Sequence, residues 1–201
     1  MNDHSYTNTT ESLVNNYIWF RNPKVASTTI LLHLKKHTKI CYSKRRAIYE
    51  GTRPSYDESF KFAFVRNPWE RLVSFYTMER KTFINKHGKV CDRKPLCAKT
   101  FDAFIERINN DSIDLNTCNR HFRLQTTLYP INDIDFLGRF ENFKNDFNFV
   151  CTKLRITTDW GHRKRGKRDK PYTEYYNSRT KKIVERRYAQ DIELLKYKFG
   201  G

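Results

Sequence analysis

The chain has 201 residues, 38% of them hydrophobic, which is enough for one compact domain with a real core. No window approaches the roughly 18 apolar residues of a membrane span, and no basic segment followed by an apolar run marks a signal peptide. The expectation is a soluble, intracellular protein. A formal net charge of +17, from 39 Lys+Arg against 22 Asp+Glu, calls for an anionic partner: nucleic acid, acidic polysaccharide, a phosphorylated cofactor or a membrane surface.

In chain order, residues 1–16 are polar and lack apolar periodicity, so they read as a flexible arm. The domain is then expected over residues 17–201, with no linker and no repeat inside it. YIWF, 17–20, reads as a short buried strand. TTILLHLKKH, 28–37, reads as a helix burying Ile30, Leu31 and Leu34. FKFAFVR, 60–66, is aromatic and alternating, as a strand is. Asn67 suits an N-cap and Pro68 a first helical turn, so a helix follows from about Trp69 to Phe83, burying Leu72, Val73, Phe75 and Tyr76.

FDAFIERI, 101–108, has amphipathic spacing. IDFLGRF, 134–140, is a further strand, and a helix follows over 143–154 with Phe147, Val150 and Leu154 inward. Residues 173–196 form a long helical region broken in its middle. Strands alternating with helices predict an α/β domain with a mainly parallel sheet flanked by helices. Ligands then belong at the carboxyl ends of the strands.

The charge is clustered in HRKRGKRDK, 162–170, and over KKHTK and SKRR within 35–46. Such runs are solvated loops as readily as binding surfaces. The five cysteines are Cys41, Cys91, Cys97, Cys118 and Cys151. An odd number without an export signal argues against a disulfide framework. Cys91, Cys97 and the nearby His87 match no standard zinc spacing. Ordinary thiols are the default reading, with a small disulfide loop or a metal site as alternatives, and no metal is expected.

Two strand-to-helix turns carry the chemistry. The first is Arg21-Asn22-Pro23-Lys24-Val25-Ala26-Ser27-Thr28-Thr29. A helix N-terminus presents unpaired N–H groups and partial positive charge. Ser27, Thr28 and Thr29 add hydroxyls, and Lys24 adds a cation. The segment is an anion loop or simply a capped helix. It lacks the Walker pattern, which disfavours an ordinary nucleotide kinase. The second turn runs from Phe64 to Ser74. Arg66 ends the strand with a guanidinium suited to phosphate, and Ser74 lies roughly two helical turns further on. Arg71 is expected to pair with Glu70 or to cover the helix face. This turn, alone, is equally open to a structural role.

Together the motifs resemble a known family. PKVASTT looks like the 5′-phosphosulfate loop of sulfotransferases that use 3′-phosphoadenosine 5′-phosphosulfate (PAPS), and FVRNPWERLVSFY looks like their 3′-phosphate segment. The match is nearest to the carbohydrate group of membrane-type enzymes, in a soluble version. HFRLQ (121–125), DFLGRFENFKNDFNFVCTKL (135–154) and 172–199 follow in the same order, so the resemblance covers roughly 17–199.

The resemblance implies a P-loop-like fold and sulfuryl transfer to a hydroxyl of an acceptor, with a carbohydrate expected. It assigns Lys24 to the bridging oxygen between phosphate and sulfate. Val25, Ala26, Ser27, Thr28 and Thr29 would surround the 5′-phosphosulfate, while Arg66 and Ser74 would take the 3′-phosphate. Arg163, Lys164 and Arg165 fall where the family closes near the cofactor. Small residues replace the family's Gly-Gly at Ala26-Ser27, so the loop is expected to avoid left-handed dihedrals.

A base must take the acceptor's proton. Between the two motifs lie His33, His37, Asp57, Glu58 and Glu50. His33 and His37, one helical turn apart, read as surface residues. His121 is the first choice, with a structural histidine as its alternative, and Glu50 is the runner-up. A competing reading takes the charge with 12 Tyr and 15 Phe as a nucleic-acid surface. Most of those aromatics occupy apolar-periodic positions, which suggests a core.

Overall fold

The computed structural model describes residues 9–12, 14–42, 56–87, 98–160 and 170–201. They fall into two compact units, each built from two chain segments: 1–65 with 127–163, and 66–126 with 164–201. Because the units interleave along the chain, no linker marks their boundary in the sequence.

The first unit holds the sheet. Its strands are β1 (Thr9–Ser12), β2 (Tyr17–Phe20), β3 (Cys41–Tyr42), β4 (Phe60–Val65) and β5 (Phe136–Arg139), in the order β3-β1-β2-β4-β5. β2 pairs parallel to β4 with Phe20 opposite Ala63, and β4 pairs parallel to β5 with Phe64 opposite Gly138. β1 and β3 continue the sheet antiparallel on the other side. The fold is α/β, with the parallel strands expected from the alternation of elements. The N-terminal arm is a correction: Thr9–Ser12 pairs along the whole of β2, and Thr10 and Ser12 are fully buried. A strand edge supplies partners to any extended neighbour, so TTES needs no apolar pattern to join.

Two helices of this unit are α1 (Ser27–His37) and α4 (Phe143–Lys153). Ile30 and Leu34 of α1 and Phe147 and Val150 of α4 form one core cluster with Tyr17, Trp19, Phe62 and Phe64. The opposite-face residues Ile18, Phe20, Ala63 and Val65 are buried too, as parallel strands require. Gly138 is needed on β5 because a Cβ there would overlap the Phe64 ring.

The second unit is helical, with α2 (Pro68–His87), α3 (Phe101–Ile108), α5 (Ser178–Arg187) and α6 (Ala189–Leu195). Asn67 caps α2 as expected: its Oδ1 accepts from Trp69 N at 3.1 Å, ahead of Pro68. Leu72, Val73, Phe75 and Tyr76 are all buried, and Phe75 and Tyr76 pack on Phe104. The C-terminal helical region breaks at Tyr188, between α5 and α6.

Arg71 departs from expectation. It is 1% exposed and donates to the carbonyls of Arg123 (2.8 Å) and Arg120 (3.0 Å). The partner of Glu70 is instead Arg66, at 2.8 Å. Among the described residues no helix is long and apolar enough to cross a membrane.

Candidate active site

The parallel pairing of β2 and β4 sends both motif-bearing turns off the carboxyl ends of adjacent strands. This is the sheet edge where open α/β proteins hold ligands. In the first turn the chain leaves Phe20, passes Asn22 and Pro23, and enters α1 at Ser27. Asn22, 1% exposed, donates through Nδ2 to Phe64 O at 3.1 Å. Its own carbonyl accepts from the Ser27 hydroxyl. The turn is therefore braced from both sides.

The loop does not avoid left-handed backbone. Lys24 has φ 72° and Ala26 φ 63°. That conformation costs a residue with a Cβ roughly 1–2 kcal/mol. A fold keeps such strain only where its surroundings over-determine it, most often at ligand sites. Left-handed residues within a turn aim successive N–H groups into one concavity, a nest for an anion. The absence of glycine thus does not keep the loop out of the left-handed region, and it adds strain there.

At the head of α1 the first turn has no acidic residue, and Ala26 offers no side-chain cap. Thr29 N already donates to Ala26 O at 2.8 Å. The N–H groups of Ser27 and Thr28 remain the first-turn donors for a ligand. Because the Ser27 hydroxyl proton goes to Asn22, Ser27 has its main-chain N–H left to offer a ligand, while Thr28 is exposed and Thr29 is partly buried, as Ser27 is. Val25 is fully buried in the core cluster, so only its backbone can face a ligand. Lys24 is partly exposed.

In the second turn Arg66 is 3% exposed and ion-paired with Glu70. Ser74 sits partly exposed on α2. His121 stacks on Phe75, the residue after Ser74, with ring centroids 5.6 Å apart. Asn119 Oδ1 accepts from His121 N at 3.1 Å and lies 3.0 Å from His121 Nδ1. An acceptor there places the ring proton on Nδ1 and the basic lone pair on Nε2.

His33 is not a surface residue: it is 5% exposed, and its Nε2 lies 2.8 Å from Thr157 O. Burial lowers its pKa below the ordinary value, helped by the neighbouring His37 and Lys36. Glu50, Arg163, Lys164, Arg165, Cys91 and Cys97 lie outside the described residues.

Sequence reasoning missed three supporting residues. Asn22 ties the two strand exits, Gln125 grips the backbone of Arg66, and Asp191 holds Gln125. Their signal is long-range pairing, which local pattern does not carry.

No curated protein and no solved structure matches the chain. The model of the Sulfotransferase family, however, matches residues 3–198, nearly the whole length, and it includes both strand-to-helix turns, the HFRLQ segment and the C-terminal helices. The chain belongs to the sulfotransferase family.

Proposed function

We propose that the enzyme moves a sulfuryl group from PAPS to a hydroxyl of a carbohydrate acceptor. The observation that carries this reading is the strained, basic turn at residues 24–29, with two left-handed residues ahead of an acid-free helix start. That donor set fits the 5′ end of the donor: N–H groups of Ser27 and Thr28, hydroxyls of Thr28 and Thr29, and the ammonium of Lys24. Arg66 and Ser74 are assigned to the 3′-phosphate by their motif.

The donor supplies a sulfuryl group on a phosphate leaving group. The acceptor oxygen forms a bond to sulfur as the bond from sulfur to the phosphate oxygen breaks, and the hydroxyl proton passes to a base. Lys24 stabilises charge growing on the departing oxygen. The rest of the turn holds the group in line, as in phosphoryl transfer. His121, with its Nε2 basic, is the proposed base. Glu50 is the second candidate, and Arg163, Lys164 and Arg165 are proposed to close near the donor. No residue here needs a metal for these roles.

The described aromatics support the donor reading over a nucleic-acid surface, which needs exposed rings among its basic residues. Among the residues whose side-chain burial is described, Phe149 is the one strongly exposed large aromatic. The +17 charge is met instead by an anionic donor and an acidic glycan acceptor.

The test is a transfer assay with labelled PAPS across glycans and simple alcohols, read by product mass. Wild type transfers sulfate, and Lys24→Ala loses about 10²- to 10³-fold in kcat. Undiminished transfer by both Lys24→Ala and Arg66→Ala would sink the assignment.

A further inference from the structure

Asp191 is fully buried, at 0% exposure. A carboxylate in that position persists only where hydrogen bonds replace water. It accepts from Gln125 N (2.8 Å), Thr126 N (3.0 Å) and Thr126 Oγ1 (3.0 Å), with Gln125 Nε2 at 3.4 Å.

Gln125, also at 0% exposure, turns both ends of its side-chain amide to Arg66. Its Oε1 accepts from Arg66 N at 2.9 Å, and its Nε2 donates to Arg66 O at 2.8 Å. This is the pairing a neighbouring strand would offer, supplied by a side chain just beyond the end of β4. The amide can face only one way. A carboxylate accepts and never donates, so Nε2 must lie toward Asp191 and the Arg66 carbonyl, leaving Oε1 for Arg66 N.

Arg66 is thus held at both ends. Its main chain is clamped by Gln125, and its guanidinium is ion-paired with Glu70 at 2.8 Å. A long side chain otherwise carries large rotamer freedom, which weakens its hold on a ligand. Preorganisation of a ligating group by a second layer removes that cost.

We propose that Gln125 and Asp191 are positioning residues that make the protein selective for a 3′-phosphorylated donor. Asp191 sets the Gln125 amide, and Gln125 sets the line along which Arg66 reaches the 3′-phosphate. The inference rests on the reading of Arg66 as the ligand of that phosphate.

The experiment measures binding of adenosine 3′,5′-bisphosphate and adenosine 5′-monophosphate by calorimetry. The proteins are wild type, Arg66→Ala, Gln125→Glu, Gln125→Ala and Asp191→Asn, each checked for folding by circular dichroism. The ratio of the two affinities reports on the 3′-phosphate alone and is insensitive to the fraction of active protein.

Wild type prefers the bisphosphate, and Arg66→Ala loses that preference. Gln125→Glu turns an oxygen toward the Arg66 carbonyl and a second carboxylate toward Asp191, so its ratio falls by at least about tenfold, the scale of a ligating group displaced by a fraction of an ångström. Gln125→Ala and Asp191→Asn move the same way, while 5′-monophosphate affinity stays within about twofold. If the Glu or Asn variant does not fold, Gln125→Ala, which adds no charge, carries the test. A wild-type ratio in the Gln125 variants, with the ratio lost in Arg66→Ala, overturns the positioning role alone. A wild-type ratio in Arg66→Ala overturns the premise and the inference together.

Discussion

Asn22 Nδ2 donates to the carbonyl of Phe64 across 3.1 Å, joining the exits of two neighbouring parallel strands. Both turns that carry the family's motifs start within a few residues of that bond. Phe64 is fully buried and Asn22 is 1% exposed, so water cannot replace the bond if it is lost. Asn22→Leu keeps the branched outline of the side chain and removes the donor. It is expected to destabilise the protein by about 1–3 kcal/mol, measured by urea unfolding. A loss below about half of one kcal/mol would mean that the carbonyl finds another partner.

Ala26 offers a test of strain. At φ 63° it carries the left-handed cost of a Cβ. Ala26→Gly removes that cost and adds unfolded-state entropy, so the expected net change is a stabilisation of less than about 1 kcal/mol. Ala26→Val should destabilise by more than about 1 kcal/mol, because β-branched residues tolerate this region worst. Equal stabilities for the Gly and Val variants would show that the turn does not hold this backbone.

Arg71 is a buried cation that donates to two carbonyls, those of Arg120 and Arg123. Those carbonyls flank His121. Arg71→Lys keeps the charge but loses the fork that reaches both, so it is not conservative here. Stability is expected to fall by about 1–3 kcal/mol, and Arg71→Met should fall further. If the Lys variant is as stable as wild type, one carbonyl contact suffices.

His33 predicts a pH dependence. Its folded-state pKa lies below the ordinary 6.5, first because burial penalises the charged ring. The unfolded chain therefore takes up a proton at a pH where the folded chain does not. The stability that neutral His33 contributes is full above about pH 6.5 and declines as the pH falls toward its lowered folded value. Urea midpoints measured from pH 7.5 to 5 should show a slope that His33→Gln reduces. An unchanged slope would assign it to other groups.

Local pattern made much of this legible. The boundaries of β2 and α3 follow from their apolar runs, because burial of one face repeats at the period of the element. Asn67 and Pro68 announced the start of α2 through capping chemistry that acts within four residues. The motif turns could be recognised because their residue types and order are contiguous in the chain.

Other features had no local signature. TTES became a strand because β2 offered it an open edge, not because of its own composition. HFRLQ could be matched to a family, but not that Gln125 holds a residue 59 positions earlier. Arg71 and His33 looked like surface groups because charge and helical spacing alone do not reveal what packs above them. The left-handed Lys24 and Ala26 ran against their own propensities, and the bonds from Asn22 and Ser27 brace that turn. The three parallel strands, the helices between them and the family were legible in the chain, since each is written in contiguous residues. Which polar groups are buried, Asn22, His33, Arg71 and Asp191 among them, was settled by packing, because burial depends on partners far away along the chain.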